Sequence, residues 1–116
     1  METLIEEATV LAKKLAESDC CRAYREAKQA VLADDALLQR LSVYKEKHLA
    51  QQAAKIKGLD APEQEKELAA LYWDLMLDDR ARRFLESERE AAATTAAICG
   101  LFTEACAVDP AFPLKA

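Results

Sequence analysis

Few residues in this sequence could carry out chemistry, and the single histidine is the first to weigh. A metal ion held on one helix face would need a second ligand three or four residues from His48. Positions 44, 45, 51 and 52 are Tyr, Lys, Gln and Gln, and none of these suits a metal site with histidine. A catalytic dyad would need a nucleophile, which the sequence does not place beside the imidazole. We therefore interpret His48 as a partly buried interface residue.

The four cysteines do not form a metal-binding or redox motif by their spacing, because no pair is arranged as CxxC. Cys99 and Cys106 lie two helical turns apart, about 10 Å, which is too far for a disulfide or a shared tetrahedral ion. Cys20 and Cys21 are adjacent and point in different directions around a helix. We expect all four to be small buried hydrophobic side chains. The alternative is a redox or iron–sulfur site assembled across subunits.

Arginines at positions 80, 82 and 83 lie beside Phe84, and Arg89 follows. Such a segment could contact nucleic acid, but the net charge of −5 opposes bulk affinity for nucleic acid and for anionic membranes. We expect a solvated face with ion pairs, and no direct contact with nucleic acid or membrane. The acidic residues that offset the arginines are Asp78, Asp79, Glu86, Glu88 and Glu90.

The sequence also lacks the patterns that typify enzymes. It has no Glu-x-x-His pair, which excludes a di-iron carboxylate bundle. Its two glycines, Gly58 and Gly100, are isolated, so no glycine-rich phosphate loop exists. We therefore predict a protein that is not an enzyme, with no catalytic residues, no metal and no other cofactor.

The elements that must position these residues are helices, because 2 glycines and 3 prolines leave few turn residues. We predict an all-α fold of about five helices, an antiparallel helical bundle with two long helices. Residues 1–108 form a single domain, and residues 109–116 form a short tail that contains prolines. The predicted segments run from Thr3 to Glu17, from Cys20 to Ala33, from Asp34-Asp35 to Gly58, from Asp60 onward with Pro62 in the first turn, and from Asp78-Asp79 to Val108.

Local signals support these boundaries. Thr3 and Glu6 have the spacing of a capping box, and Asp60 is a candidate cap for the fourth helix. Gly58 is a candidate C-terminal cap for the third. An apolar stripe at helical period marks the first helix, and the fourth is expected to bury Leu68, Leu71 and Leu75. The members of the stripe are Leu4, Ile5, Ala8, Leu11, Ala12 and Leu15.

Two seams with alternating spacings of three and four resemble those of coiled coils. Because a small bundle can cover only part of two long helices, we expect a homodimer. Its contact is predicted at Ile98 and Phe102, while Tyr44 and His48 are the alternative. The third-helix seam is Leu37, Leu41, Tyr44, His48 and Gln51; the fifth-helix seam is Ala81, Phe84, Glu88, Ala91, Thr95, Ile98, Phe102 and Ala105.

The order of breaks and seam residues resembles the YlbF/YmcA family, the control-of-competence regulators that include YheA-like proteins. The resemblance covers residues 3–108, nearly the whole domain, and no single motif carries it. The matching stretches are Leu15-Ala16-Glu17-Ser18, Tyr24 with Ala27-Lys28, Leu32 to Asp35 with Leu41, Gln51-Gln52 before Gly58, and Phe84-Leu85 with Glu88, followed by the last helix through Ile98.

The resemblance implies an all-α fold that forms dimers or higher oligomers and has no catalytic residues. In Firmicutes, YlbF and YmcA act with an unrelated partner, YaaT, and associate with the endoribonuclease RNase Y. The complex influences mRNA processing and through it competence, sporulation and biofilm formation. Some members carry cysteines in a C-terminal extension and are linked to iron–sulfur clusters, but this sequence has no cysteine after Cys106 that could match them.

Three hypotheses follow. The first is a regulatory adaptor that binds YlbF/YmcA-like paralogues and RNase Y. The second is a structural helical oligomer with no role in RNA decay, and the third is a cysteine-based redox or iron–sulfur sensor. The opening residues, Met1 to Glu7, are acidic where a secretion signal would be basic, and no apolar run reaches the roughly 20 residues of a membrane span. We therefore expect a cytoplasmic protein.

Overall fold

Five helices form at the predicted breaks in the computed structural model, which describes residues 2–107, 109 and 111–114. Each start and each predicted end that can be compared lies within about two residues of its expected position. Val108, the predicted end of the fifth helix, lies outside the described residues, as does part of the predicted tail. The helices are α1 (Glu2–Ala16), α2 (Asp19–Leu32), α3 (Asp35–Ile56), α4 (Pro62–Met76) and α5 (Asp79–Cys106).

Aspartate side chains start two of these helices. A carboxylate oxygen of Asp34 accepts from the backbone N–H groups of Ala36 and Leu37, at 3.1 and 3.2 Å. Asp78 does the same at the start of α5, accepting from the backbone N–H groups of Arg80 and Ala81 at 2.9 and 3.3 Å. Both carboxylates therefore satisfy amides that the first turn leaves unpaired.

Two other predicted caps are wrong. Thr3 lies inside α1, which begins at Glu2, two residues earlier than a capping box at Thr3 would require. Asp60 does not cap α4, because Ala61 occupies the N-cap position and no side chain bonds the first turn. Pro62 is the first residue of that helix, and since its nitrogen carries no hydrogen, the turn has one fewer amide to satisfy.

Gly58 ends α3 as predicted, with a φ of +74° that favours glycine. Its N–H donates to the carbonyl of Lys55 at 3.0 Å, and the N–H of Leu59 donates to the carbonyl of Ala54 at 2.9 Å. These two bonds form the Schellman motif, which turns the chain sharply from α3 towards α4.

The helices pack as two antiparallel pairs. α2 lies along the first half of α5, where the rings of Tyr24 and Phe84 are 5.7 Å apart. α3 lies along α4, where Lys47 pairs with Glu67 at 2.7 Å. The pairs meet at a small apolar core, against which Tyr44, Met76 and Phe84 pack. The buried hydrophobic residues are Val31, Leu37, Leu41, Leu75, Ala81 and Leu85. Leu75 is thus buried as predicted, while Leu68 and Leu71 are only half-buried.

The molecule is a thin slab of 48 × 42 × 17 Å, with a radius of gyration of 18.3 Å. A compact chain of this length has a radius of gyration of about 13 Å. The accessible surface is 8979 Å², whereas a compact monomer of this size exposes about 6,300 Å². The chain therefore leaves far more surface uncovered than a self-sufficient domain does.

α1 contributes most clearly to this uncovered surface. Its main contacts are with α2, the helix that follows it, and none of its residues is buried. The predicted apolar stripe is present, but nothing in the described part of the chain covers it: Leu4, Ile5 and Leu11 are 68%, 60% and 37% exposed. Only Leu15, next to the turn into α2, is half-buried.

Candidate interaction surfaces

Tyr44 and His48 lie one turn apart on α3 with their rings stacked, 5.9 Å between centroids and 10° between planes. The ring of Tyr72 on α4 lies 6.0 Å from the ring of Tyr44, so the neighbouring helix also contacts this stacked pair. Burial raises the pKa of the Tyr44 hydroxyl, and the nearby Tyr72 adds to that rise. Both Tyr44 and His48 remain half-buried, as expected of His48.

These rings line an open groove of about 250 Å³ between α3, α4 and α5. Along its edge Lys45 forms an ion pair with Glu88 and lies over the ring of Phe84, 5.6 Å from the centroid. A cation held between a carboxylate and an aromatic face ties α3 to α5. Two pairs of side chains therefore line the groove, Lys45 with Glu88 and His48 with the ring of Tyr44.

Ile98 and Phe102 lie on the far half of α5. The N-terminal end of α2 reaches α5 at Thr94, where the Cys20 sulfur is 3.8 Å from the threonine hydroxyl. Ala96 still lines a pocket with Tyr24 of α2, and beyond it α5 continues to Cys106. Phe102 and its neighbour Leu101 are therefore 53% and 65% exposed, while Ile98 is half-buried. The structure does not join this surface to the Tyr44 groove, because Ile98 is about 9 Å along the helix from Ala92 at the groove's end.

Further apolar side chains are exposed on α3, on α4 and in the turn that connects them, and our sequence analysis did not identify them. Trp73 is 68% exposed, with its ring 5.4 Å from that of Tyr72 in an edge-to-face arrangement. The position of Trp73 just outside the apolar face of α4 is the sequence signal that could have identified this exposed side chain. Leu49 and Ile56 on α3 and Leu59 in the connecting turn are also exposed, by 64%, 88% and 62%.

The arginines at the start of α5 are engaged in ion pairs, as predicted. Arg80 bonds Asp34 at 2.9 Å and Asp78 at 3.2 Å, and so connects the caps of α3 and α5. Arg82 and Arg83 both pair with Asp79. Internal partners therefore offset much of the positive charge in this segment.

The carboxylates beside Arg80 are stabilised in their charged form. The pKa of Asp78 lies below its usual value, chiefly because Arg80 donates hydrogen bonds to it. The pKa of Asp34 is also lowered, first by the backbone N–H of Leu37 and then by Arg80. The two carboxylates in turn raise the pKa of the Arg80 guanidinium.

The expectation that all four cysteines are buried is wrong. Cys99 and Cys106 are exposed, because they lie on the part of α5 that α2 does not cover, and Cys20 and Cys21 are half-buried. Hydrogen bonding with Ser18, 3.5 Å from its sulfur, and with Thr94 lowers the pKa of the Cys20 thiol. Within residues 2–107, 109 and 111–114 all four cysteines are free, and no three His, Cys, Asp or Glu side chains are grouped to hold a metal ion.

None of the helices in the described ranges combines the length and the apolar character that crossing a bilayer requires. No curated protein and no solved structure gives a significant match to the chain. The family model described as "Control of competence regulator ComK, YlbF/YmcA" matches residues 4–104, which confirms the resemblance over most of the sequence. This regulatory family is the one to which the chain belongs.

Proposed function

We propose that this protein is a non-enzymatic regulator of the cytoplasm that acts by binding other proteins. The observation that supports this most directly is the exposed apolar surface in a member of a regulatory family. Exposed apolar patches of this kind are typical of protein-binding surfaces. The exposed side chains include Phe102 and Leu101 on α5 and Trp73 on α4.

The finer proposal is that the protein forms a homodimer and associates with YlbF/YmcA-like paralogues and with RNase Y. It would thereby influence mRNA processing and the programmes of competence, sporulation or biofilm formation that depend on it. Ile98 and Phe102 are the proposed dimer contact, and the half-buried Tyr44 and His48 are the proposed alternative. Direct contact with RNA is not part of the proposal, because the arginines nearest to a basic patch already pair with Asp34, Asp78 and Asp79.

Affinity capture from the native cell, followed by mass spectrometry, tests this proposal. The wild-type chain should retain RNase Y and a YlbF/YmcA-like paralogue. A bait with Arg82→Ala and Arg83→Ala should retain them equally, since these exposed arginines lie outside the apolar surfaces. Capture of neither protein by the wild-type bait would contradict the finer proposal.

A second assay addresses catalysis. Purified protein incubated with structured and single-stranded RNA should give no cleavage, because the sequence lacks the patterns that typify enzymes. Cleavage that co-elutes with the protein and is lost on His48→Ala would contradict the non-enzymatic proposal.

A further inference from the structure

Most of the apolar stripe of α1 is uncovered by the part of the chain that the structure describes. It consists of Leu4, Ile5, Ala8, Leu11, Ala12 and Leu15. An isolated helix of 15 residues is marginal in water, because nucleation costs more than so few hydrogen bonds return. Helices of this length are stabilised by burying their apolar face, and here that face is open to solvent.

The area left open is large enough for a dimer. The chain exposes about 2,700 Å² more than a compact monomer of its size. A stable protein interface covers about 800 Å² on each partner. Covering the α1 stripe and the far half of α5 together can therefore meet that requirement without disturbing the body of the fold.

The charges on α1 indicate what lies across from it. Its first half is acidic, with Glu6 and Glu7, and its second half is basic, with Lys13 and Lys14. Two such helices repel each other's ends when parallel and attract them when antiparallel. An antiparallel pair related by a two-fold axis is the arrangement that a second copy of the same chain provides.

The apolar residues fit the same arrangement. Leu4, Ala8, Leu11 and Leu15 are spaced by four, three and four residues, as in the core positions of a coiled coil. In an antiparallel pair that places Leu4 of one copy opposite Leu15 of the other, Ala8 of the first copy lies opposite Leu11 of the second. The same register brings Glu7 beside Lys14, both of which flank the stripe, while Glu6 and Lys13 point away from it.

From these observations we infer that α1 is a self-association element, which lies antiparallel to α1 of a second copy with Glu7 of each chain beside Lys14 of the other. This inference deepens the proposed homodimer. The exposed end of α5 is close to the same junction, because Cys20 at the start of α2 contacts Thr94 of α5. The α1 pair and the α5 contact can therefore form one continuous interface.

A charge-exchange experiment tests the pairing. Glu7→Lys and Lys14→Glu each replace two attractive contacts per dimer by two repulsive ones, so each variant alone should dimerise about tenfold more weakly. An equimolar mixture of the two variants restores both attractive contacts and should form a heterodimer with near wild-type affinity. Sedimentation velocity over a concentration series measures the dimer affinity of each variant and of the mixture. A higher salt concentration should reduce the differences between these affinities, because ions screen the charges.

Matched controls use the same helix and the same charge changes. Glu6→Lys and Lys13→Glu lie on the outward side of α1 and should leave dimer affinity unchanged. Leu11→Asp should abolish dimerisation while helicity of the body persists, since α1 has no buried residue to lose. Circular dichroism of each variant checks that the fold is intact.

The outcomes separate this inference from the proposed function. If Glu7→Lys and Glu6→Lys weaken the dimer equally, or if mixing gives no recovery, the antiparallel α1 pairing is wrong. If the dimer survives Leu11→Asp but is lost on Ile98→Glu with Phe102→Glu, the α5 contact stands and the α1 inference falls. A wild-type chain that stays monomeric at about 100 µM but captures a partner protein from the cell contradicts self-association and leaves the regulatory proposal standing.

Discussion

At the scale of single residues, Arg80 joins two separate parts of the fold. It bonds the carboxylates that cap α3 and α5, so two helix starts share one guanidinium. The sequence shows an arginine-rich segment but not this connection, because Asp34 and Arg80 are brought together only when α2 packs against α5. The sequence alone allows a role to be assigned to a residue type. It does not identify the ion-pair partner when that partner is far away in the sequence.

The cap at Asp78 gives a first prediction. Asp78→Ala removes the acceptor of two backbone N–H groups and should lower the free energy of unfolding by about 1 kcal/mol. Asp60→Ala is the matched control, since Asp60 caps nothing and its loss should change stability by less than about 0.5 kcal/mol. Urea denaturation measures both, and equal effects would contradict the assignment of caps.

The lowered pKa values of Asp34 and Asp78 predict how stability depends on pH. Their charged forms are favoured by folding, so this contribution is complete above the unfolded pKa of about 3.9. As pH falls below that value the unfolded carboxyls take up protons first, and stability is lost progressively until pH passes the lowered pKa values of the folded state. Thermal unfolding between pH 6 and pH 2.5 should show this loss, and Arg80→Met should reduce its pH dependence. An unchanged pH profile in Arg80→Met would contradict the role given to the guanidinium.

The cysteines lead to a third prediction. Cys99 and Cys106 are exposed on α5 at a spacing too long to share an ion, and no cluster of three metal-binding side chains includes them in the described ranges. Protein purified without oxygen should therefore lack an iron–sulfur chromophore. Stoichiometric iron and sulfide, with absorbance lost in Cys99→Ser with Cys106→Ser, would favour the sensor hypothesis instead.

At the scale of elements, the two halves of α5 lie in different surroundings. Its first half is packed against α2, with Ala81 and Leu85 buried, and its second half projects beyond α2. The regular seam along α5 predicted a long helix correctly, but a seam states only which face is apolar. Which part is covered depends on where α2 begins, and that is set by the turn at Glu17 and Ser18.

The projecting half of α5 carries the fourth prediction. Ile98→Glu with Phe102→Glu places two charges in the proposed contact and should give a monomer, because burying these side chains contributes roughly 1.5–3 kcal/mol each. Arg82→Ala with Arg83→Ala is the control and should leave assembly unchanged. Light scattering coupled to size exclusion at several concentrations measures both. A dimer that survives the double glutamate change would exclude the α5 contact and leave α1, or Tyr44 and His48, as the place of contact.

At the scale of the whole molecule, the described chain is thin and leaves much of its surface uncovered. The extents of 48 × 42 × 17 Å leave a small core, and the accessible surface of 8979 Å² exceeds that of a compact chain. The sequence predicted the helix count, the order of breaks and the family, since all of these depend on local signals and on the order of those signals along the chain. It did not predict that α1 stands apart from the body, because an apolar stripe looks the same whether its partner is in the same chain or in another.

Concentration dependence follows as the fifth prediction. If self-association stabilises the chain, the melting temperature should rise with protein concentration, because mass action favours the associated folded state. A hundredfold increase should raise it measurably in the wild type. In the variant that carries both Ile98→Glu and Phe102→Glu, the melting temperature should be independent of protein concentration. Calorimetry at matched pH and salt makes the comparison, and a wild-type value that does not move would contradict a dimer coupled to folding.

The thinness of the slab has a consequence for how this protein can evolve. Buried positions are the ones at which substitution is most costly, and in the described chain they include only six apolar residues. Most other sites accept exchange as long as helical period and breaks are preserved. Lineages can therefore drift apart in identity while keeping the same architecture. A position-specific pattern over residues 4–104 then remains detectable after pairwise similarity has faded.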